Sequence, residues 1–313
     1  MGVDIPKVNY TGAIREITFG SSNQVTIGGE TCYPFHIFEG EMPNPPKIAM
    51  EVYDSPPDDW PETAIEPFRD VIHDPVAWAK KCIHTYGAEI ICLQLASTDP
   101  NGKNLSAEAA TDITKRLSDS IEVPLIVWGC EDADKDAETL RSVCEACDGR
   151  NLLIGPVQEG NYTKLGAAAI AYKHVVISTS RIDVNLAKQL NILLGNLGVP
   201  DGQIAMDPTT GGLGYGIEYT YTIIERMRMA ALVQEDERLG FPIVCNLAKE
   251  VWKVKEVRIP ESEDPKLGDL NKRGVMMEAM TSTLLLLAGT DLLVMRHPEA
   301  IALTQDFIAQ MRQ

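Results

Sequence analysis

From residue 47 onwards the chain alternates short, almost continuously apolar runs with longer amphipathic stretches. The runs are KIAMEVYD (47–54), AEIICLQLAS (88–97), VPLIVWGC (123–130), NLLIGPVQ (151–158), HVVISTSR (174–181), QIAMDPTT (203–210), FPIVCNLA (241–248) and DLLVMRHP (291–298). A strand covered on both faces must be apolar at nearly every position, so these segments predict a buried parallel sheet. The stretches between them carry the helical period: Ile113, Leu117 and Ile121 form one stripe, and Leu186, Leu190, Leu193 and Leu197 another. Asp74-Pro75 and Ser106 ahead of Ala107-Glu108 mark helix starts, while Gly87, Gly149, Gly198 and Gly289 mark ends. An unbroken strand–helix rhythm predicts an α/β fold, a (β/α)8 TIM barrel over residues 47–313. An open doubly wound sheet fits less well, because no G-x-G-x-x-G follows the first strand.

Residues 1–46 read differently. AIREITFG (13–20) and QVTIGGE (24–30) alternate polar and apolar positions across Ser21-Ser22-Asn23, which predicts a β-hairpin in an N-terminal extension. A hairpin placed there can plug the bottom of the barrel. Two connections, Ser55–His73 and Val251–Arg273, are much longer than the usual strand-to-helix loop. Both leave the C-terminal ends of strands, where barrels keep their function, so both are expected to form binding surface.

Composition narrows the function classes. The formal net charge of -17 over 313 residues opposes a phosphate backbone, which excludes nucleic acid as a partner. Met1–Tyr10 carries charges and Pro6 instead of an apolar signal core. The longest apolar stretch, Leu284–Ala288 within Met276–Gly289, is too short to span a bilayer, so a cytoplasmic chain without a membrane partner is expected. Seven cysteines spread through apolar runs read as reduced, buried thiols.

Cys144 and Cys147 have C-x-x-C spacing, but Leu140, Cys144 and Cys147 share one helix face and no second ligand pair follows, so a packing role is expected. His84-Thr-Tyr-Gly87 has the tail of a D-x-H-x-x-G corrinoid motif, yet Cys82 stands where the Asp belongs and Gly87 reads as a helix end. The richest segment is Met206–Ile217. Asp207, Thr209 and Thr210 leave the sixth barrel strand, and Gly211, Gly212, Gly214 and Gly216 then surround Tyr215 just ahead of a helix. Glycines at a barrel mouth let backbone approach a flat or bulky ligand, and the new helix offers free N–H groups to an anion or carbonyl. Further polar residues at strand ends are Asp54, Thr98, Asp99, Glu131, Gln158, Ser180, Arg181, Asn246, Lys249 and Arg296. They form no Ser–His–Asp set, Lys249 lies beside Glu250 instead of in an apolar strand, and Asp54 and Asp207 stay open as acid–base groups or helix caps.

Three segments together carry a resemblance: DPTTGGLGYGIEY (207–219), RGVMMEAMTSTLLLLAGTDLLVMRHPEAI (273–301) and VTIGGETCYPFHIFEGEMPNPPKIAMEVYD (25–54). From about residue 8 to its end the chain resembles the small subunit of the corrinoid/iron–sulfur protein, the methyl carrier of the reductive acetyl-CoA (Wood–Ljungdahl) pathway of anaerobes, and the related delta subunit of acetyl-CoA decarbonylase/synthase. The resemblance implies a heterodimer. A large subunit would hold the [4Fe–4S] cluster and a cobalamin-binding domain, with cobalamin at the interface and this barrel facing the reactive side of the corrin. A methyltetrahydrofolate:corrinoid methyltransferase would load the methyl group and acetyl-CoA synthase/CO dehydrogenase would receive it. On that reading the chain holds no catalytic residue and no metal ligand, and it contacts the corrin through Asp207, Thr209, Thr210, Gly211, Gly212, Gly214, Tyr215 and Gly216. The alternative is an autonomous pterin-dependent methyltransferase that uses Asp207 with Asn246. An aldolase-like barrel would instead need a lysine able to form a Schiff base.

Overall fold

A computed structural model describes residues 6–312. The expected hairpin is present: β1 (Glu16–Phe19) pairs antiparallel with β2 (Val25–Gly28). The eight apolar runs then form β3 (Lys47–Tyr53), β4 (Ile91–Gln94), β5 (Leu125–Trp128), β6 (Leu153–Val157), β7 (Val175–Thr179), β8 (Ile204–Asp207), β9 (Val244–Asn246) and β10 (Leu292–Met295). Their hydrogen-bonded order is β8-β7-β6-β5-β4-β3-β10-β9, all parallel. A parallel bridge between Met206 and Ile243, with the Met206 N–H donating to Pro242 O at 2.8 Å, joins the two ends and closes the ring. The chain is a (β/α)8 barrel.

The helices are α1 (Glu62–Ile65), α2 (Pro75–Tyr86), α3 (Ala107–Ser120), α4 (Ala133–Ala146), α5 (Tyr162–Tyr172), α6 (Val184–Leu197), α7 (Ile217–Gln234), α8 (Ala248–Val251), α9 (Leu270–Ala288) and α10 (Pro298–Met311). Asp74 caps α2 by accepting from the Val76 N–H at 3.0 Å, and Ser106 caps α3 through the Ala109 N–H at 3.3 Å. Gly87 and Gly198 close α2 and α6 in the left-handed conformation that only glycine adopts without cost. On α6 the buried stripe is Ala187, Leu190 and Leu194, while Leu186, Leu193 and Leu197 are half-buried, so the inward face lies one position round from the expected one. No helix among the described residues is long and apolar enough to cross a membrane.

Two layers of apolar packing result. Side chains such as Met50, Leu93, Val127, Ile154 and Val176 face the helices. The alternate positions, including Ala49, Cys92, Ile126, Leu153, Ile177, Ala205, Val244 and Val294, fill the barrel. Ile17, Phe19 and Ile27 of the hairpin join this inner layer, each at most 1% exposed. Burial of that kind stabilises by roughly 1.5–3 kcal/mol per large side chain. The Gly20 N–H donates to Asn151 O at 2.8 Å and the Asn151 amide donates to Thr18 O at 3.1 Å, tying the hairpin to the loop before β6. The hairpin therefore seals the N-terminal end of the barrel, and only the C-terminal mouth is left open.

Candidate functional site

Two residues beyond each inner apolar position the strands raise a ring of polar and aromatic side chains into the mouth. Glu51, Gln94, Trp128, Thr179, Asp207, Asn246 and Arg296 follow Ala49, Cys92, Ile126, Ile177, Ala205, Val244 and Val294 by the two-residue period of a strand. All are buried. The ring divides into two arcs with opposite character.

One arc is filled. Arg296 pairs with Glu51, both essentially inaccessible, and the Gln94 amide donates to Glu51 at 3.4 Å. The Arg296 guanidinium lies 3.5 Å from the centroid of Trp60 and 6.0 Å from that of Trp252. Glu278 of α9 accepts from the Arg296 and His297 N–H groups and from the Trp252 indole at 3.0 Å. Burial still pushes the Glu278 carboxyl up to about 7, because these donors offset only part of its desolvation. Trp60 comes from the long connection after β3, and Trp252 begins the one after β9. An Arg258–Asp59 ion pair at 3.7 Å links the two. Each of the loops expected to form binding surface thus turns a tryptophan inward over a buried arginine.

The other arc is open. It surrounds a cavity of about 300 Å³ whose walls include Trp128, Pro156, Asp207, Asn246 and the Glu131–Lys249 ion pair, which is 2.8 Å long. Burial pushes the Asp207 carboxyl up to about 7, against the pull of the Thr209 N–H that donates to its Oδ1 at 2.8 Å. Neither the Asn246 amide nor the Trp128 indole N–H has a hydrogen-bond partner among the described residues. Three residues on this rim, Glu131, Ile182 and Thr209, hold left-handed φ angles of 74°, 52° and 63°. Two of these are β-branched, and such strain gathers where a surrounding structure enforces a site. A hollow of about 340 Å³ at the opposite end, between Tyr86 and Ile308, holds none of the unpartnered buried groups.

The structure brings together part of the segment singled out from sequence. Asp207, Thr209, Thr210 and Gly211 line the cavity, and the Thr210 hydroxyl donates to Asn246 O at 2.7 Å. Gly212, Gly214, Tyr215 and Gly216 stand outside it. Gly212 is buried, and a Cβ there would come within 3.1 Å of the Thr220 hydroxyl. Gly216 precedes α7 with φ 149°, and Tyr215 between them is 91% exposed. Gly211 and Gly214 are exposed, with nothing within 4 Å of where a Cβ would be. Glu131, Gln158, Arg181, Asn246 and Lys249 also reach the cavity, whereas Arg296 belongs to the filled arc. Asp54 accepts from the Ser97 N–H at 3.0 Å and from the Ser97 hydroxyl, so it ties the loop after β4 to the end of β3.

Trp128, Thr179 and Ile182 join the site without having been expected there. The two-residue alternation of VPLIVWGC and HVVISTSR carries the signal for Trp128 and Thr179. Nothing in the sequence marks Ile182. Lys249 is unsuited to Schiff-base chemistry. Burial draws its ammonium down, but the charge and hydrogen bond of Glu131 outweigh that and leave it above the ordinary lysine value. Cys144 and Cys147 face the core with Leu140, and burial pushes both thiols up, away from the thiolate a metal requires.

A family profile described as the CO dehydrogenase/acetyl-CoA synthase delta subunit matches residues 16–304. The acetyl-CoA decarbonylase/synthase complex subunit delta of Methanopyrus kandleri is 34% identical over 311 residues, covering 96% of this chain and 76% of that protein. The corresponding subunit of Archaeoglobus fulgidus is also 34% identical, covering 96% of this chain and 69% of that protein. Among solved structures, dihydropteroate synthase of Yersinia pestis superposes with TM-score 0.59 at 11% identity, covering 86% of this chain and 95% of that one. The Xanthomonas albilineans synthase gives 0.57 at 16%, covering 87% and 93%. These likenesses establish the barrel and no more. The profile and the two archaeal relatives place the chain in the CO dehydrogenase/acetyl-CoA synthase delta subunit family.

Proposed function

We propose that the chain is the non-catalytic small subunit of a corrinoid methyl carrier, and that its barrel mouth covers one face of the corrin. The glycine loop carries this reading. Gly211 and Gly214 have neither a positive φ nor a neighbour that a side chain would strike, so the chain's own fold does not call for glycine there. Backbone approach by something outside the chain does. A corrin is too wide for a cavity of about 300 Å³, so it lies across the rim, where Gly211, Gly214 and Tyr215 are exposed. Its cobalt centre supplies the methyl-carrying chemistry. The chain's residues shield that face from water and orient it. The [4Fe–4S] cluster and the cobalamin-binding domain belong to a large subunit. The same mouth then faces the methyltransferase and acetyl-CoA synthase/CO dehydrogenase in turn, in the cytoplasm.

The test is Gly214→Phe in a complex co-expressed with a corrinoid-bearing large subunit. Corrinoid retention is expected to fall at least about tenfold, the equivalent of about 1.4 kcal/mol for one close contact excluded, while the melting temperature of the chain is unchanged. Unchanged retention would sink the reading.

A second reading, the autonomous pterin-dependent methyltransferase, is favoured by one observation: Asp207 and the unpartnered Asn246 line the same cavity. Incubating the isolated chain with methyltetrahydrofolate and free cob(I)alamin decides between the two. Turnover supports the enzyme, and inertness supports the carrier subunit.

A further inference from the structure

The base of the barrel buries charges that do not balance. Just after β2 the chain turns inward at Glu30, which is 5% exposed. Its carboxyl meets that of Asp291, at the entry to β10, beside Arg228 of α7 and Cys32. Asp291 and Arg228 are buried as well. The guanidinium pairs with Asp291 Oδ2, which also accepts from the Ile243 N–H at 2.6 Å. Its other nitrogens donate to Gly289 O at 2.8 Å and to Phe241 O at 3.3 Å. The arginine is thereby fully used, and Glu30 Oε2 has no partner among the described residues.

Two carboxyls against one guanidinium leave a negative charge in the interior, where an uncompensated charge is too costly to keep. One proton removes it. The described residues form no metal-ligating cluster, and the cavity between these groups is about 10 Å³, room for a single water. Burial pushes the Glu30 carboxyl well above the usual carboxylate range; Asp291 adds to the rise and Arg228 opposes it. The titratable groups facing the pair are Arg228 from α7, Cys32 from the loop after β2, and Cys245 from β9, which lies close enough to feel Asp291 and Arg228. Burial, then Glu30 and Glu39, push the Cys32 thiol up to about 11. α9 offers Leu286 and no charge.

Glu30 also stands at the root of a closed loop. Its carbonyl accepts from the Ile14 N–H at 2.8 Å, and the loop neck is tied by the Thr31 N–H to Glu41 O and the Glu41 N–H to the Thr31 hydroxyl, both at 2.9 Å. Beyond the neck the loop crosses three helices. The Tyr33 hydroxyl donates to Glu225 of α7 at 2.9 Å, Pro34 reaches Leu286 of α9, and Phe35 meets Phe307 of α10 edge-on at 5.9 Å. Phe35 holds this course at φ 62°, a left-handed conformation that is strained for an aromatic residue. A strained segment anchored at its root by a carboxyl short of one charge partner is poised to let go.

We propose that one proton shared by Glu30 and Asp291 latches segment 30–42 onto the barrel base, and that its loss frees the segment. With the segment closed, Glu30 holds its proton more tightly than it does in water. The latch is therefore fully present below the ordinary glutamate range and is lost as pH climbs through the raised value.

Hydrogen–deuterium exchange of the full chain, read by mass spectrometry at pH 6 and pH 9 and corrected for intrinsic rates, tests the latch. Protection of peptides within 30–42 is expected to fall at least about tenfold between the two, the linkage of one pKa unit. Peptides of α4, on the far side of the barrel, are expected to keep theirs. Glu30→Gln keeps the shape of the protonated carboxyl and Glu30→Met fills its space without an ionisable group. Both are expected to fold and to lose the pH dependence. A smaller fall in the wild type, an equal fall in α4, an equal fall in either variant, or failure of both variants to fold would overturn the proposal.

Discussion

The two arcs of the barrel mouth occupy equivalent places in one ring, yet they solve the burial of polar groups in opposite ways. Around Arg296 every charge has a partner: Glu51 on the neighbouring strand, Gln94 beyond it, and the Trp60 and Trp252 faces above. Around Asn246 the amide has no partner among the described residues, and Asp207 has a single backbone donor. The first arrangement serves the fold. The second gives up stability at a place where something from outside can recover it, the usual sign of a site maintained for binding.

Four substitutions test that contrast. The largest effect is expected for Glu51→Ala, which strands the Arg296 guanidinium in the interior and should cost about 3–5 kcal/mol in urea unfolding. A loss below about 1 kcal/mol would mean the filled arc is not a stabilising unit. Next, Asp207→Asn should stabilise the protein, by an amount that depends on pH. Because folding raises this carboxyl to about 7, the folded chain binds the proton more tightly than the unfolded one, and stability drains as pH climbs from the ordinary carboxylate range to 7. A tenfold change in proton affinity is worth roughly 1.4 kcal/mol, and relaxation of the buried site discounts the total. The gain from Asp207→Asn is therefore expected to be small at pH 5 and on the order of 1–3 kcal/mol at pH 8. An equal gain at both pH values would refute it. Trp252→Phe removes one of the donors to Glu278 and should cost about 1–2 kcal/mol by thermal melting. The smallest effect belongs to Gly214→Ala, expected within about 0.5 kcal/mol of wild type. A larger loss would show that the loop has a folding role after all.

Much of this molecule is legible in its sequence because the signals are local. Buried parallel strands announce themselves as runs such as IICLQL and DLLVM, and the alternating EITF and VTIG segments announce a hairpin. The mouth is legible in part, since Asp207, Asn246 and Lys249 fall at strand ends by simple counting. What escapes depends on distant partners. Glu51 and Arg296 are 245 residues apart, and no local pattern says that they meet. Trp60 and Trp252 sit in Pro- and charge-rich loops that look solvated, and they are drawn inward by distant groups: Arg296 beneath both, Tyr53 and Trp78 beside Trp60, and Glu278 at the Trp252 indole. Likewise Gly212 and Gly214 are indistinguishable as letters. One packs against Thr220 and the other meets open space, a difference made entirely by the tertiary fold.

The hairpin at the far end has a consequence for traffic. The inner side chains fill the barrel and Ile17, Phe19 and Ile27 close its base, so the cavity at the mouth is reached from the C-terminal side. A protein covering that mouth would set the residence time of anything held there. Release would then be timed by assembly instead of by affinity alone.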